Sequence, residues 1–148
     1  MTAEAWVVHN QFKGQLGTDA VDLDGDTFKG ILCTSASNIA AASTPNYDIG
    51  MTGEVADGSG YTTGGVTLTG VAWEESGGTV TFDCADMVWT ASGGDIVARF
   101  AGIYDSTPAI GKPIVAHSLL DDTPANVTAT DGNTFTIGIN AAGVFTLA

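Results

Sequence analysis

The sequence predicts an all-β fold, an antiparallel β-sandwich or barrel-like single domain with one short N-terminal helix. Three observations predict it. Apolar residues alternate with threonine and other polar residues in several short runs, the pattern of half-buried strands. Twenty glycines punctuate those runs, as turns between short strands require. Only the N-terminal stretch offers a helical spacing, with Val8, Phe12 and Leu16 four residues apart and Gly17 placed to end the helix. Gly14 and the β-branched Val7–Val8 pair weaken that helix, so residues 1–17 are expected as a helical or extended segment.

Next along the chain, "DLDGDTFKGILC" (22–33) sets three aspartates at alternate positions, like the start of an EF-hand loop. The pattern then fails. Thr27 stands where that loop needs glycine, and Cys33 where it needs a bidentate glutamate. A turn at Asp24–Gly25 accounts for the stretch, and neither metal nor cofactor is expected. "SASNIAAASTPNYDI" (35–49) is small and polar and reads as a surface loop.

"DGSGYTTGGVTLTGVAW" (57–73) raises the question of a phosphate loop. A P-loop needs a lysine and a following helix, whereas "VTLTGVAW" alternates like a strand. Gly58, Gly60, Gly64 and Gly65 are therefore expected as turn residues. Gly70 marks a bend, because Val71 and Trp73 fall on the opposite parity from Val66 and Leu68. "TVTFDC" places Val80, Phe82 and Cys84 on one face. "DIVARFAGIY" (95–104) is apolar on both parities and reads as one strand covered on both sides, with Arg99 near an edge or paired. "DGN" (131–133) supplies the turn before Thr134–Ile139. That strand is expected to pair antiparallel with Val144–Leu147 across the turn between them.

The chain of 148 residues is 44% hydrophobic and 14% charged, enough apolar content for one folded core. Seventeen acids stand against four scattered bases, Lys13, Lys29, Arg99 and Lys112, for a net charge of -13. No basic stripe exists to release counterions from a phosphate backbone, so neither nucleic acid nor an anionic membrane is an expected partner. No apolar run approaches a membrane span. Met1–Phe12 has neither a basic start nor a long apolar core, so no secretory signal is expected there. Cys33 and Cys84 are expected as two buried thiols. His9 and His117 lack partners at ligand spacing, and no GxSxG motif is present, so no zinc site and no local catalytic motif is legible.

Taken in order, the motifs resemble small virion-associated proteins of tailed bacteriophages. The resemblance rests on "NQFKGQLGTDAVDLDGDTFKGILCTSA", "GYTTGGVTLTG", "VWTASGGDIVARFAGIYD" and the closing "DGNTFTIGINAAGVFTLA", and it covers nearly the whole chain. It implies a non-enzymatic structural protein of the particle, such as a capsid decoration (cement) protein or a head fibre. A decoration protein would bind the major capsid protein on the outer shell as a homotrimer, after synthesis in the host bacterial cytoplasm. Trp6, Val8 and Phe12 are then the expected oligomer or capsid contacts, being apolar, near the N-terminus and outside the evident β core. A tail or head-fibre module gripping a host-surface glycan or protein is the alternative, and would instead use Tyr47, Tyr61 and the loop 35–46.

Overall fold

The computed structural model describes residues 2–123 and 125–148. Twelve strands and one helix follow in the order β1 (Val7–Val8), α1 (Asn10–Gln15), β2 (Phe28–Cys33), β3 (Val66–Thr67), β4 (Ala72–Ser76), β5 (Thr79–Asp83), β6 (Met87–Thr90), β7 (Ile96–Ala98), β8 (Phe100–Asp105), β9 (Ile114–Leu119), β10 (Val127–Ala129), β11 (Thr134–Ile137) and β12 (Phe145–Leu147). The fold is all-β, and the named strands all pair antiparallel.

A five-stranded sheet, ordered β1-β9-β8-β2-β3, forms the central layer. Strands β8 and β9 are buried along almost their whole length. They therefore read as continuous apolar runs rather than alternations, as expected of strands covered on both faces. On one side pack the ribbons β6–β11 and β7–β10 and the sheet β12-β5-β4, closing a sandwich-like core that includes Phe28, Leu32, Phe82, Trp89, Ile103 and Phe135. On the other side a smaller apolar cluster joins Ile31, Cys33, Ile39, Tyr104 and Ile114, with Tyr47 and Met51 against it. Ile39 belongs to the stretch expected as a surface loop, and it is fully buried. Residues 35–46 thus cover a sheet face. Their polar composition hid this, because the backbone and small polar side chains of the stretch bond to one another while one isoleucine fills the gap above Gly102. A Cβ at Gly102 would collide with Ile39 Cδ1 and Ile31.

Where alternation was clear, the strands follow it. Met87 and Trp89 point inward from β6 while Val88 and Thr90 point out, and Phe135 and Ile137 do the same in β11. Their pairing differs from the expected hairpin. Strand β11 ends at Ile137 and pairs with β6, while β12 pairs with β5. The Ile139 amide donates to Asp86 Oδ1 (2.8 Å), and the Asn140 side chain accepts from the Ala142 amide (2.9 Å). These bonds turn the chain away from β11 and deliver Phe145 opposite Phe82. The expected single strand 95–104 is also two strands. At Arg99 the chain changes partners: its amide donates to Cys33 (2.7 Å), its carbonyl accepts from Leu120 (3.0 Å), and its Nε donates to Asn126 Oδ1 (3.1 Å). A strand that passes between the two layers of a sandwich bends at such a corner.

The helix is shorter than its apolar spacing suggested. It covers Asn10–Gln15 and is capped by Leu16, not Gly17, while Val8 lies in β1. Val7 and Val8 pair with His117 and Ala116 of β9, and β-branched residues settle more readily against a strand than in a helix.

Candidate functional site

Residues 2–9 run as an extended edge along β9. The Asp122 amide donates to the Thr2 carbonyl (2.8 Å), the Glu4 amide to Leu119 (2.9 Å) and the His9 amide to Val115 (3.0 Å), and the Ser118 hydroxyl donates to the Glu4 carbonyl (2.7 Å). The outer side of this segment walls a groove of about 570 Å³. Ala3–Trp6 form one wall, and Phe135–Gly138 with Ala142–Val144 form the facing one. Glu4 is the only charged side chain among the lining residues, so the groove is mildly acidic and largely apolar.

The three expected contact residues divide. Trp6 is half-buried and lines the groove, and Val8 is half-buried against the main core. Phe12 is fully buried and meets Phe145 edge-on, with ring centroids 5.8 Å apart. The expectation that Phe12 lies outside the β core is therefore corrected. The helix is one turn and a half long, and Phe12 is the side chain that fastens it to β12. Val7, which the sequence did not single out, is 42% exposed beside Trp6.

The glycine-rich loop is held by a carboxylate of its own chain. Glu54 accepts from the Tyr47 hydroxyl (2.7 Å) at Oε2, and from the Tyr61 hydroxyl (2.7 Å) and the Gly64 amide (2.7 Å) at Oε1. Tyr61 OH in turn accepts from the Leu32 amide (3.2 Å), and Tyr104 OH donates to the Gly64 carbonyl (2.9 Å). Tyr47 and Tyr104 stack at 4.0 Å. Burial, with the adjacent Glu54 carboxylate, pushes all three phenols up, Tyr104 to about 12. These hydroxyls are therefore un-ionised donors, committed to a structural knot. Gly58, Gly60, Gly64 and Gly65 all have positive φ, as turn residues do, and a Cβ on Gly65 would overlap the Gly30 carbonyl oxygen. Tyr61 is 2% exposed, so it is not the exposed binding residue that the host-recognition alternative needs. Glu54 lies seven residues from Tyr47 and from Tyr61, at a spacing no motif marks, while Tyr104 and Leu32 reach the knot from 40 and 29 residues away.

Asp22 and Asp26 each spend a carboxylate oxygen on the turn itself. Asp22 Oδ1 accepts from the amides of Asp24 (3.1 Å) and Gly25 (3.0 Å), and Asp26 Oδ2 accepts from the Asp22 amide (2.8 Å). Asp26 also lies against Asp105, a fully buried carboxyl whose Oδ1 accepts from the Thr107 amide (2.9 Å) and whose Oδ2 has no partner among the described residues. Burial first, then the Asp26 charge, raises the Asp105 carboxyl to about 6. Cys33 and Cys84 are both buried and unpaired by disulfide, and burial raises them to about 12 and about 11. Neither is a ready nucleophile. Among the described residues no three His, Cys, Asp or Glu side chains converge as a metal cluster, and no helix is long and apolar enough to cross a membrane.

The two histidines, unremarkable in sequence, meet. His9 Nε2 lies 2.9 Å from His117 Nδ1, and both side chains are buried. No family model, curated protein or solved structure matches the chain.

Proposed function

We propose that the chain is a structural protein of a tailed bacteriophage particle: a non-enzymatic capsid decoration protein that binds the outer shell, as a homotrimer on the major capsid protein, and stabilises it. The observation that carries the reading is the ordered likeness of its motifs, from "NQFKGQLG" to "AAGVFTLA", to such proteins. Two structural features support it. The groove beside Trp6, walled on one side by the extended segment Ala3–Trp6, offers a largely apolar contact surface next to the N-terminus. The conspicuous polar side chains inside the fold, Glu54, Tyr61 and the two histidines, are engaged with one another rather than presented to a substrate. The net charge of -13 favours the outside of the shell, since a packaged genome is a polyanion and would repel it.

Light scattering on the free protein gives its oligomeric mass, and co-sedimentation with undecorated capsids gives attachment. Binding is expected to persist at about 1 M salt, where the Debye length is about 3 Å, because the contact is apolar. Trp6→Ala is expected to weaken it at least tenfold, as large aromatic anchors dominate interface energies. A monomer that ignores capsids but binds purified tails or host cells overturns the decoration reading in favour of a tail or fibre module.

A further inference from the structure

The tautomers of the buried histidine pair follow from one carbonyl. His9 Nδ1 lies 2.8 Å from the Thr44 carbonyl oxygen, which only accepts, so Nδ1 carries a hydrogen. Neutral His9 then presents a bare Nε2. His117 must donate to it from Nδ1, across 2.9 Å, which leaves His117 Nε2 as its own bare nitrogen. A first proton can enter at His117 Nε2 and leave the bond between the rings intact. The shared hydrogen can then sit on either of the two bonded nitrogens, and a second proton must enter at whichever of them accepts the bond, where it converts the acceptor into a donor aimed at a donor. The bond is then lost and two cations are in contact, a state that only separation relieves.

Separation has one easy direction. His117 sits inside the central sheet, between β8 and β1, whereas His9 belongs to the edge segment. That segment includes only a two-residue strand and is held along one side by backbone bonds to β9 and residues just beyond it. The charges around the pair do not compensate a cation. Lys13 on α1 adds repulsion at His9, and His9 does the same at His117. Residues 35–46 carry no titratable side chain, and β9 carries none besides His117. The remaining titratable groups on the packed elements are Glu4 in the edge segment, Tyr104 and Asp105 in the last two positions of β8, and Lys29 with the buried Cys33 thiol on β2. No carboxylate contributes to the shift of either histidine.

We propose that the His9–His117 pair is an acid-released latch: neutral, it locks residues 2–9 to the sheet and completes the groove beside Trp6, and doubly protonated, it lets that segment go. Burial holds both imidazoles below the usual histidine range, and burial together with an already charged His9 holds His117 at about 4, so the second charge arrives near there: the latch is closed at neutral pH and opens only in distinctly acidic solution. The latch does not depend on the decoration reading, since it follows from the pair alone. If the groove is the contact surface, the latch makes that contact acid-labile.

The test is nuclear magnetic resonance on the ¹⁵N-labelled full chain. At pH 7.5 long-range ¹H–¹⁵N spectra are expected to show both rings neutral and protonated at Nδ1. Between pH 7.5 and 3.5 the amides of Glu4, Val7, Val8 and His9 are expected to lose their folded shifts in step with the second ring protonation, while amides of β2 and β8 keep theirs. In His9→Gln/His117→Asn the side-chain amides stand where the bonded ring nitrogens were and cannot charge, and the segment is expected to stay bound to pH 3.5. An Nε2–H tautomer in either ring at pH 7.5 overturns the proposal. So does a wild-type segment still bound at pH 3.5, a release that coincides with loss of β2 and β8, or a release with the same midpoint in the double variant. Should the double variant not fold, His117→Asn alone replaces it, since its amide can turn its oxygen toward a protonated His9. Should neither fold, the tautomers and the wild-type titration decide.

Discussion

Phe12 of the short helix α1 meets Phe145 of β12 edge-on, with centroids 5.8 Å apart and planes at 80°. Phe145 also lies 5.5 Å from Phe82 and 5.9 Å from Trp73, so the helix is fastened to the β4–β5–β12 sheet by one aromatic cluster. Phe12→Ala should therefore cost about 3–5 kcal/mol, the usual penalty for emptying a phenylalanine site in a core. Trp6→Ala, at a half-buried groove position, should cost less than half of that. Denaturant melts of the two variants measure both, and equal losses would remove the distinction between core Phe12 and groove-lining Trp6.

The histidine pair and Asp105 act on stability in opposite senses. His117 has a folded-state value of about 4, below its unfolded value of 6.5, so its contribution is complete above 6.5 and is lost as pH falls through 4. Asp105 has a folded-state value of about 6, above its unfolded value of 3.8, so its contribution is complete below 3.8 and is lost as pH rises through 6. Each shift corresponds to roughly 3 kcal/mol, and the two windows overlap, so they largely mask one another in the wild type. Asp105→Asn should raise stability at pH 7 and unmask a loss on acidification from pH 6.5 to 4. His117→Asn should unmask a gain over the same range. Thermal melts at half-unit pH steps distinguish the two slopes, and parallel curves for both variants would contradict the assignment.

Glu54 gathers two tyrosine hydroxyls and the Gly64 amide. Glu54→Ala strands these three donors and should cost on the order of 3 kcal/mol, because a part-buried donor left without a partner bears its desolvation penalty. Glu54→Gln retains one acceptor oxygen and should cost about 1 kcal/mol. Urea denaturation measures both. A Glu54→Ala protein as stable as wild type would mean that the tyrosine knot contributes nothing.

Gly65 has φ +71°, and a side chain there would run into the Gly30 carbonyl. Gly65→Val should destabilise by more than about 2 kcal/mol through strain and collision together. ATP titrated into the wild type by calorimetry should give no heat of binding, since the loop sequence holds no P-loop lysine and runs into a strand rather than a helix. Micromolar affinity abolished by the substitution would restore the phosphate-loop interpretation.

Calcium should leave the melting temperature of the wild type within about a degree, because Asp22 and Asp26 already use carboxylate oxygens to cap their own turn. A rise of several degrees with millimolar calcium would mean that the carboxyls of Asp26 and Asp105, which face one another, take up the cation.

The sequence by itself determined the all-β class, the inward faces of strands such as Met87–Thr90 and Thr134–Ile137, and the turn role of Gly64 and Gly65. These are local properties: side-chain alternation follows from strand geometry, and positive φ from the lack of a Cβ. Only the tertiary structure decided which strands pair. Phe135 found Trp89 rather than the neighbouring Phe145, because Asp86 and Asn140 turn the chain between them. It also decided that Phe12 is core, that residues 35–46 cover a sheet face, and that His9 and His117, 108 positions apart, share a hydrogen bond. Such contacts join residues brought together by global packing, and a linear pattern holds no periodicity that spans them.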